Sequence, residues 1–356
     1  MSSTIRAALH SEKRTAASGN GAWHAEDKMM RTKRGSAGRR NSMKIVLLEG
    51  LGVSEDVLQS YADRLKEMGH TFEAYDKNAD PAVQTSRCAG ADAVMLANMP
   101  LAKEVIEQTE TLKYIDVAFT GVDHIPMKEA KEHGIAVSNA SGYATQAVAE
   151  LTLGMMIQLL RNVDLVQERC REGKTKDGLV GNLLCGKTVG IIGAGAIGKR
   201  TAALCKAFGC SVIAYSRSKV CDPSIDEQVT LEELLRRADV VSLHVPLTDA
   251  TRGMIGKEEI GMMKDSAILI NMARGPVVDS NALADALNSG KLAGAGIDVF
   301  ETEPPLDTAH PLLHTPNTVV TPHIGFASVE SMQQRAQIVF DNLFAWLNGD
   351  VRNQVG

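Results

Sequence analysis

Residues 193–198 read Gly-Ala-Gly-Ala-Ile-Gly, directly after the apolar run 188–192 and directly before a helical pattern at 199–208. A G-x-G-x-x-G loop between a strand and a helix admits few folds. Its first glycine permits the tight turn, its second lets a pyrophosphate approach the backbone, and its third lets the helix pack closely on the strand. The helix start adds N–H groups without intrahelical acceptors and the positive end of the helix dipole. Gly209 closes that helix and a second apolar run begins at Val212. Alone, the motif could be a packing turn. In this setting it predicts a parallel α/β sheet that binds a dinucleotide at Gly193, Gly195, Ala196, Ile197 and Gly198.

Where such folds usually carry an acid for the ribose 2′-hydroxyl, this chain has Ser216-Arg217-Ser218 after the run 211–215. A carboxylate would repel a 2′-phosphate, and an arginine between two hydroxyls would hold it. The expected cofactor is NADP(H) in preference to NAD(H), with a solvent-facing Arg217 as the alternative.

Three polar residues stand at or just past the ends of later strand-like runs: Arg274 after 266–273, Glu303 after 295–300, and His323 at the end of 318–323. In an open parallel sheet, ligands sit beyond the carboxyl ends of the strands, so these side chains can converge. Arginine offers a planar fork to a carboxylate. Histidine exchanges a proton near neutral pH, and a neighbouring glutamate would raise its basicity. The trio suits hydride transfer to an acidic carbonyl compound, with Arg274 on the substrate carboxylate and His323 as general acid to the C2 oxygen.

The chain of 356 residues is long enough for two cores. Nine basic and three acidic side chains give residues 1–42 a charge of +6, which leaves the remainder at −11. An acidic body is a poor nucleic-acid surface. The basic extension lacks periodicity and is read as disordered, although its acid-poor composition also resembles an organelle transit peptide. No apolar stretch approaches the roughly 18 residues of a crossing helix. The six cysteines show no metal-like spacing, so reduced thiols, no metal and a cytoplasmic location are expected. Strands are predicted at 44–49, 71–75, 93–97, 113–118 and 135–138. A second series falls at 187–193, 212–215, 240–245, 267–271, 294–299 and 318–321. Helices are predicted at 54–68, at 145–163, where the segment is apolar around most of its circumference, and at 329–347.

The loop 193–198, the segment Asn271-Met-Ala-Arg-Gly-Pro-Val-Val-Asp279, Asp298-Val-Phe with Glu303-Pro, and Thr321-Pro-His-Ile-Gly325 occur in one order from Met43 onward. Together they resemble the signatures of the D-isomer-specific 2-hydroxyacid dehydrogenases. The resemblance implies that Arg274, Glu303 and His323 are catalytic and that Asp298 meets the nicotinamide carboxamide. It implies that Thr120 and Gly121 offer backbone N–H groups to the substrate carboxylate, and that His244 and Pro246 line the adenosine side. It also makes the 145–163 helix a dimerisation element and the protein a homodimer. Phosphoglycerate dehydrogenases carry a basic segment where this chain has Ala97-Asn98-Met99-Pro100-Leu101, and formate dehydrogenases of this fold have Gln at the position of Glu303. A small unphosphorylated 2-oxo acid, such as glyoxylate or hydroxypyruvate, is therefore expected. Phe326 could line its pocket.

The fold class expected is α/β with two parallel-sheet domains. A Rossmann dinucleotide-binding domain (142–324) is inserted into a flavodoxin-like substrate domain (43–141 and 325–356). Hinge segments are expected at 139–143 and 322–327. A D-lactate-type dehydrogenase and a non-catalytic dinucleotide-sensing scaffold are the competing readings.

Overall fold

The computed structural model describes residues 42–302 and 306–356. The basic extension through residue 41 and Glu303 lie outside the described residues.

The first sheet is built from β1 (Lys44–Leu47), β2 (Thr71–Ala74), β3 (Ala93–Leu96), β4 (Tyr114–Val117) and β5 (Ala136–Asn139), all parallel, in the order β2-β1-β3-β4-β5. Its helices are α1 (Glu55–Glu67), α2 (Pro81–Cys88), α3 (Lys103–Gln108) and α4 (Met127–Glu132). Short continuous apolar runs such as Ala-Val-Met-Leu in β3 are buried at every position, which fits strands covered on both faces. The order is that of flavodoxin-like sheets.

Next come α5 (Thr145–Leu160), α6 (Val163–Arg171), β6 (Thr188–Ile192), α7 (Ala196–Ala207), β7 (Ser211–Tyr215), β8 (Glu227–Gln228), α8 (Leu231–Arg237) and β9 (Val240–Leu243). The series continues through α9 (Lys257–Met262), β10 (Ile268–Asn271), α10 (Ser280–Asn288), β11 (Gly294–Ile297), β12 (Thr318–Val320) and α11 (Val329–Leu347). The second sheet runs β12-β11-β10-β9-β6-β7-β8, again all parallel, and reverses direction of growth between β6 and β9. That reversal is the Rossmann switch point, where dinucleotides bind. Both sheets lie within one compact unit, Met43–Gly356.

The helix expected over 145–163 stops at Leu160. Asn162 adopts a left-handed conformation (φ 52°), which an asparagine tolerates, and the chain restarts as α6. The apolar circumference of α5 is covered by α7 and by β10, β11 and β12, whereas α6 buries none of its residues. The Glu227–Gln228 strand was not expected, because two exposed polar residues carry no hydrophobic signal.

Helix α11 follows its expected bounds and returns to the first sheet. Its Phe340 is fully buried and stacks on Tyr61 at 3.9 Å between ring centroids. Truncating such a ring to alanine typically costs about 3–5 kcal/mol. The last residues then lie beside β5, through Asn139 N–H to Asn353 O (3.1 Å) and Val355 N–H to Val137 O (2.9 Å). Among the described residues no helix is long and apolar enough to cross a membrane.

Candidate active site

Loops from the carboxyl ends of both sheets enclose one cavity of about 750 Å³. Its lining joins Thr120, Gly121 and Asp123 after β4 to Arg274 after β10, Asp298 after β11 and His323 after β12. Gly195, Ala196 and Ile197 from the glycine loop and His244 and Pro246 after β9 form another part of the wall.

Arg274 sits three residues past β10 because Asn271 shapes the turn. The Asn271 Oδ1 accepts from Ala273 N–H (3.0 Å) and its Nδ2 donates to Arg274 O (3.1 Å). The guanidinium donates from Nη1 to Ala273 O (2.9 Å), and from Nε and Nη2 to the two oxygens of Asp123 (3.3 and 3.2 Å). The fork is thus presented already oriented. Burial pushes the Asp123 carboxyl up, but the Arg274 guanidinium beside it overrides that and holds it below the usual carboxylate range. Gly121 lies against the same guanidinium, where a Cβ would overlap Nη2.

His323 is held by its backbone. It has φ 57°, and its N–H donates to Asp298 O (2.7 Å) and Thr321 O (3.0 Å). The Asp298 carboxylate, 2% exposed, accepts from Thr321 Oγ1 (2.6 Å), Ile324 N–H (2.8 Å) and Gly325 N–H (2.8 Å). Burial raises the pKa of Asp298 against these three donors. The carboxylate therefore braces the loop that carries the imidazole. The His323 ring meets Phe119 and Phe326 edge-on at 5.6 and 5.3 Å, and Tyr143 completes an aromatic wall.

The glycine loop fits a dinucleotide. Gly193 has φ 99°, and a Cβ there would meet His244 O at 2.6 Å; a Cβ on Gly198 would overlap Gly193 O. These two glycines serve packing. A Cβ on Gly195 would meet nothing within 4 Å, so space is open at the start of α7, which has no side-chain cap and whose Gly195, Ala196 and Ile197 line the cavity. His244 Nε2 pairs with Ser242 Oγ (2.9 Å), whereas its buried Nδ1 has no hydrogen-bond partner among the described residues. Burial lowers its pKa to about 4, so the ring is neutral. Ser216, Arg217 and Ser218 do not line the cavity. They stand outside it beside the glycine loop, whose Gly193 N–H donates to Tyr215 O (2.9 Å). Gln228 shapes this segment by donating to Ser216 O (3.0 Å) and Ser218 O (2.9 Å).

Sequence reasoning gave no role to the Asp123 clamp or to Phe119 and Tyr143 in the wall. Asp123 is 151 residues from its partner, and no local pattern marks such a pair.

The family model "D-isomer specific 2-hydroxyacid dehydrogenase, NAD binding domain" matches residues 153–325. A hydroxypyruvate reductase of Blautia hydrogenotrophica is 35% identical over 328 residues, covering 88% of this chain and 99% of that protein. A glycerate dehydrogenase of Methylorubrum extorquens is 39% identical over 80% of this chain and 92% of its own. The crystal structure of a glyoxylate reductase from Paecilomyes thermophila superposes with a TM-score of 0.80 at 30% identity, over 88% of this chain and 98% of that one. With relatives matched over nearly their whole length and a glycine loop facing an arginine and a histidine across one cavity, the chain belongs to the D-isomer-specific 2-hydroxyacid dehydrogenase family.

Proposed function

We propose that this enzyme reduces a small unphosphorylated 2-oxo acid of the glyoxylate or hydroxypyruvate type to the D-2-hydroxy acid, or runs the reverse oxidation, with NADP(H) favoured over NAD(H). The observation that carries this reading is the single cavity that holds Arg274, Thr120, Gly121 and His323 at one part and Gly195–Ile197 at another. The names of the relatives, hydroxypyruvate reductase, glycerate dehydrogenase and glyoxylate reductase, agree with it.

Arg274 pairs with the substrate carboxylate through its fork, assisted by the backbone of Thr120 and Gly121. When bound, the nicotinamide supplies the hydride that adds to C2. His323 gives its proton to the C2 oxygen as general acid, and Glu303 is the third catalytic residue of the family signature. Asp298 keeps the His323 loop in place and has lone pairs left for a carboxamide N–H. His244 and Pro246 line the adenosine side. Arg217, between Ser216 and Ser218, would hold a 2′-phosphate.

The lack of a phosphate on the substrate has its own support. In segment 97–101 the N–H groups of Ala97 and Met99 are taken by the buried Glu49 carboxylate (3.1 and 2.9 Å), so an anion is already seated there. The two sheets act as domains, 43–141 with 325–356 against 142–324, closing about the segments 139–143 and 322–327. Val163 and Leu165 of α6, with Val180 and Leu183 beyond it, are exposed apolar residues that a second copy of the chain would cover in a homodimer.

A panel of 2-oxo acids assayed with NADPH and NADH tests the reading. Turnover of glyoxylate or hydroxypyruvate supports it. Preference for pyruvate favours the D-lactate-type reaction. Tight cofactor binding without turnover of any acid favours the sensing scaffold.

A further inference from the structure

Behind the aromatic wall lies a cation that the reaction as described does not use. Arg335 of α11 is 4% exposed. It donates from Nη2 to Leu51 O (2.6 Å), while its buried Nε has no hydrogen-bond partner among the described residues. Its Cζ lies 5.8 Å from the Tyr143 ring centroid and 5.7 Å from that of Phe326, both of which line the cavity. A buried guanidinium that no carboxylate pairs among the described residues is costly to desolvate.

The reading of the site in Proposed function says where the cation points. With the carboxylate on Arg274 and the C2 oxygen toward His323, the remaining substituent of C2 is left the cavity wall beside the imidazole, made by Phe119 and Phe326, which meet His323 edge-on, and by Tyr143, which packs on those two rings. We propose that Arg335, acting through Tyr143, is a specificity-determining positioning residue that selects 2-oxo acids bearing an oxygen on C3. The Tyr143 hydroxyl faces the Arg335 guanidinium, and burial pushes its pKa up to about 12, so it stays protonated. Its O–H is then available to an acceptor on C3, and the cation behind it strengthens that donor.

The inference rests on the assignment of the reaction, and one experiment separates the two. Reduction of hydroxypyruvate, glyoxylate and pyruvate is measured for the wild type, Arg335→Met, Arg335→Lys and Tyr143→Phe. In Arg335→Met, which keeps the Tyr143 donor but removes the cation behind it, the ratio of kcat/KM for hydroxypyruvate to that for glyoxylate should fall by about 3- to 10-fold, mainly through KM, less than the about 10-fold or more expected where the donor itself is lost. Tyr143→Phe should lower the same ratio, and Arg335→Lys should recover part of it. A ratio within about twofold of wild type in both Arg335→Met and Tyr143→Phe overturns the proposal and leaves Arg335 as a strap between α11 and the loop after β1. Should Arg335→Met fail to fold, Tyr143→Phe, which keeps the ring, decides alone. A wild-type enzyme that reduces none of the three acids refutes the assignment of the reaction itself, and this inference with it.

Discussion

Replacing Gly121 by alanine tests the geometry of the carboxylate site with one methyl group. An alanine Cβ would stand 2.7 Å from Asp123 Oδ1 and 3.3 Å from Arg274 Cζ, and would overlap Nη2. Ordinary non-bonded contact lies near 3.5–4.0 Å, so the guanidinium must withdraw by more than about 1 Å. The backbone does not oppose the change, because Gly121 is outside the left-handed region. Folding should therefore be little affected, and a smaller unfolded-state entropy would add about 0.4–1 kcal/mol of stability at most. Catalysis should suffer much more. A displacement of about 1 Å in a positioning group can cost about 10²-fold, or about 2.7 kcal/mol in the barrier. The assay is steady-state reduction of glyoxylate and hydroxypyruvate, followed by loss of the reduced nicotinamide, alongside a cofactor titration and a thermal melt. We expect kcat/KM to fall by about 10²-fold for both acids while cofactor affinity and the melting temperature stay near wild type. A variant within about threefold of wild-type kcat/KM would show that the placed fork of Arg274 is not what receives the substrate carboxylate.

Other outcomes follow from the same structure. His323→Ala should lose about 10²- to 10⁴-fold in kcat with cofactor binding retained, whereas near-normal turnover would remove the imidazole from the chemistry. Arg217→Ala should shift the ratio of kcat/KM for NADPH over NADH downward by about tenfold, and an unchanged ratio would place the guanidinium in solvent. Burial raises the pKa of the fully buried Asp116, so its charged form weakens the fold at neutral pH and the penalty disappears on acidification. Asp116→Asn should then stabilise the protein by about 1–3 kcal/mol at pH 8 in urea unfolding, with the gain shrinking toward pH 4; a pH-independent gain would point to another cause. His244 has the opposite sign: its pKa drops to about 4 in the fold, so stability present above its ordinary value near 6.5 is lost on acidification toward pH 4. The loss is about 2–3 kcal/mol, and His244→Gln should flatten that slope.

The parallel sheets were readable because short, mostly apolar runs such as 93–96 and 240–243 are buried at every position, and the glycine loop stands between a strand and a helix, β6 and α7. The same alternation of strands and helices marked Arg274 and His323 as candidates, whereas Thr120 and Gly121 were named only through the family resemblance. Each stands just past a strand end, and parallel strands deliver their ends to one edge. The overlong helix at 145–163 failed at a single backbone choice, the left-handed Asn162, which hydrophobic periodicity does not register. Which side chains meet across the cleft was beyond any local pattern. Asp123 closes on Arg274 over 151 residues, and Arg335 reaches Leu51 over 284. Backbone preference and apolar spacing act over a few residues at a time, and they set strands, turns and the glycine cradle. Contacts between distant loops depend on how the two sheets pack, so the clamp on the fork and the cation behind the aromatic wall came into existence only with the folded molecule.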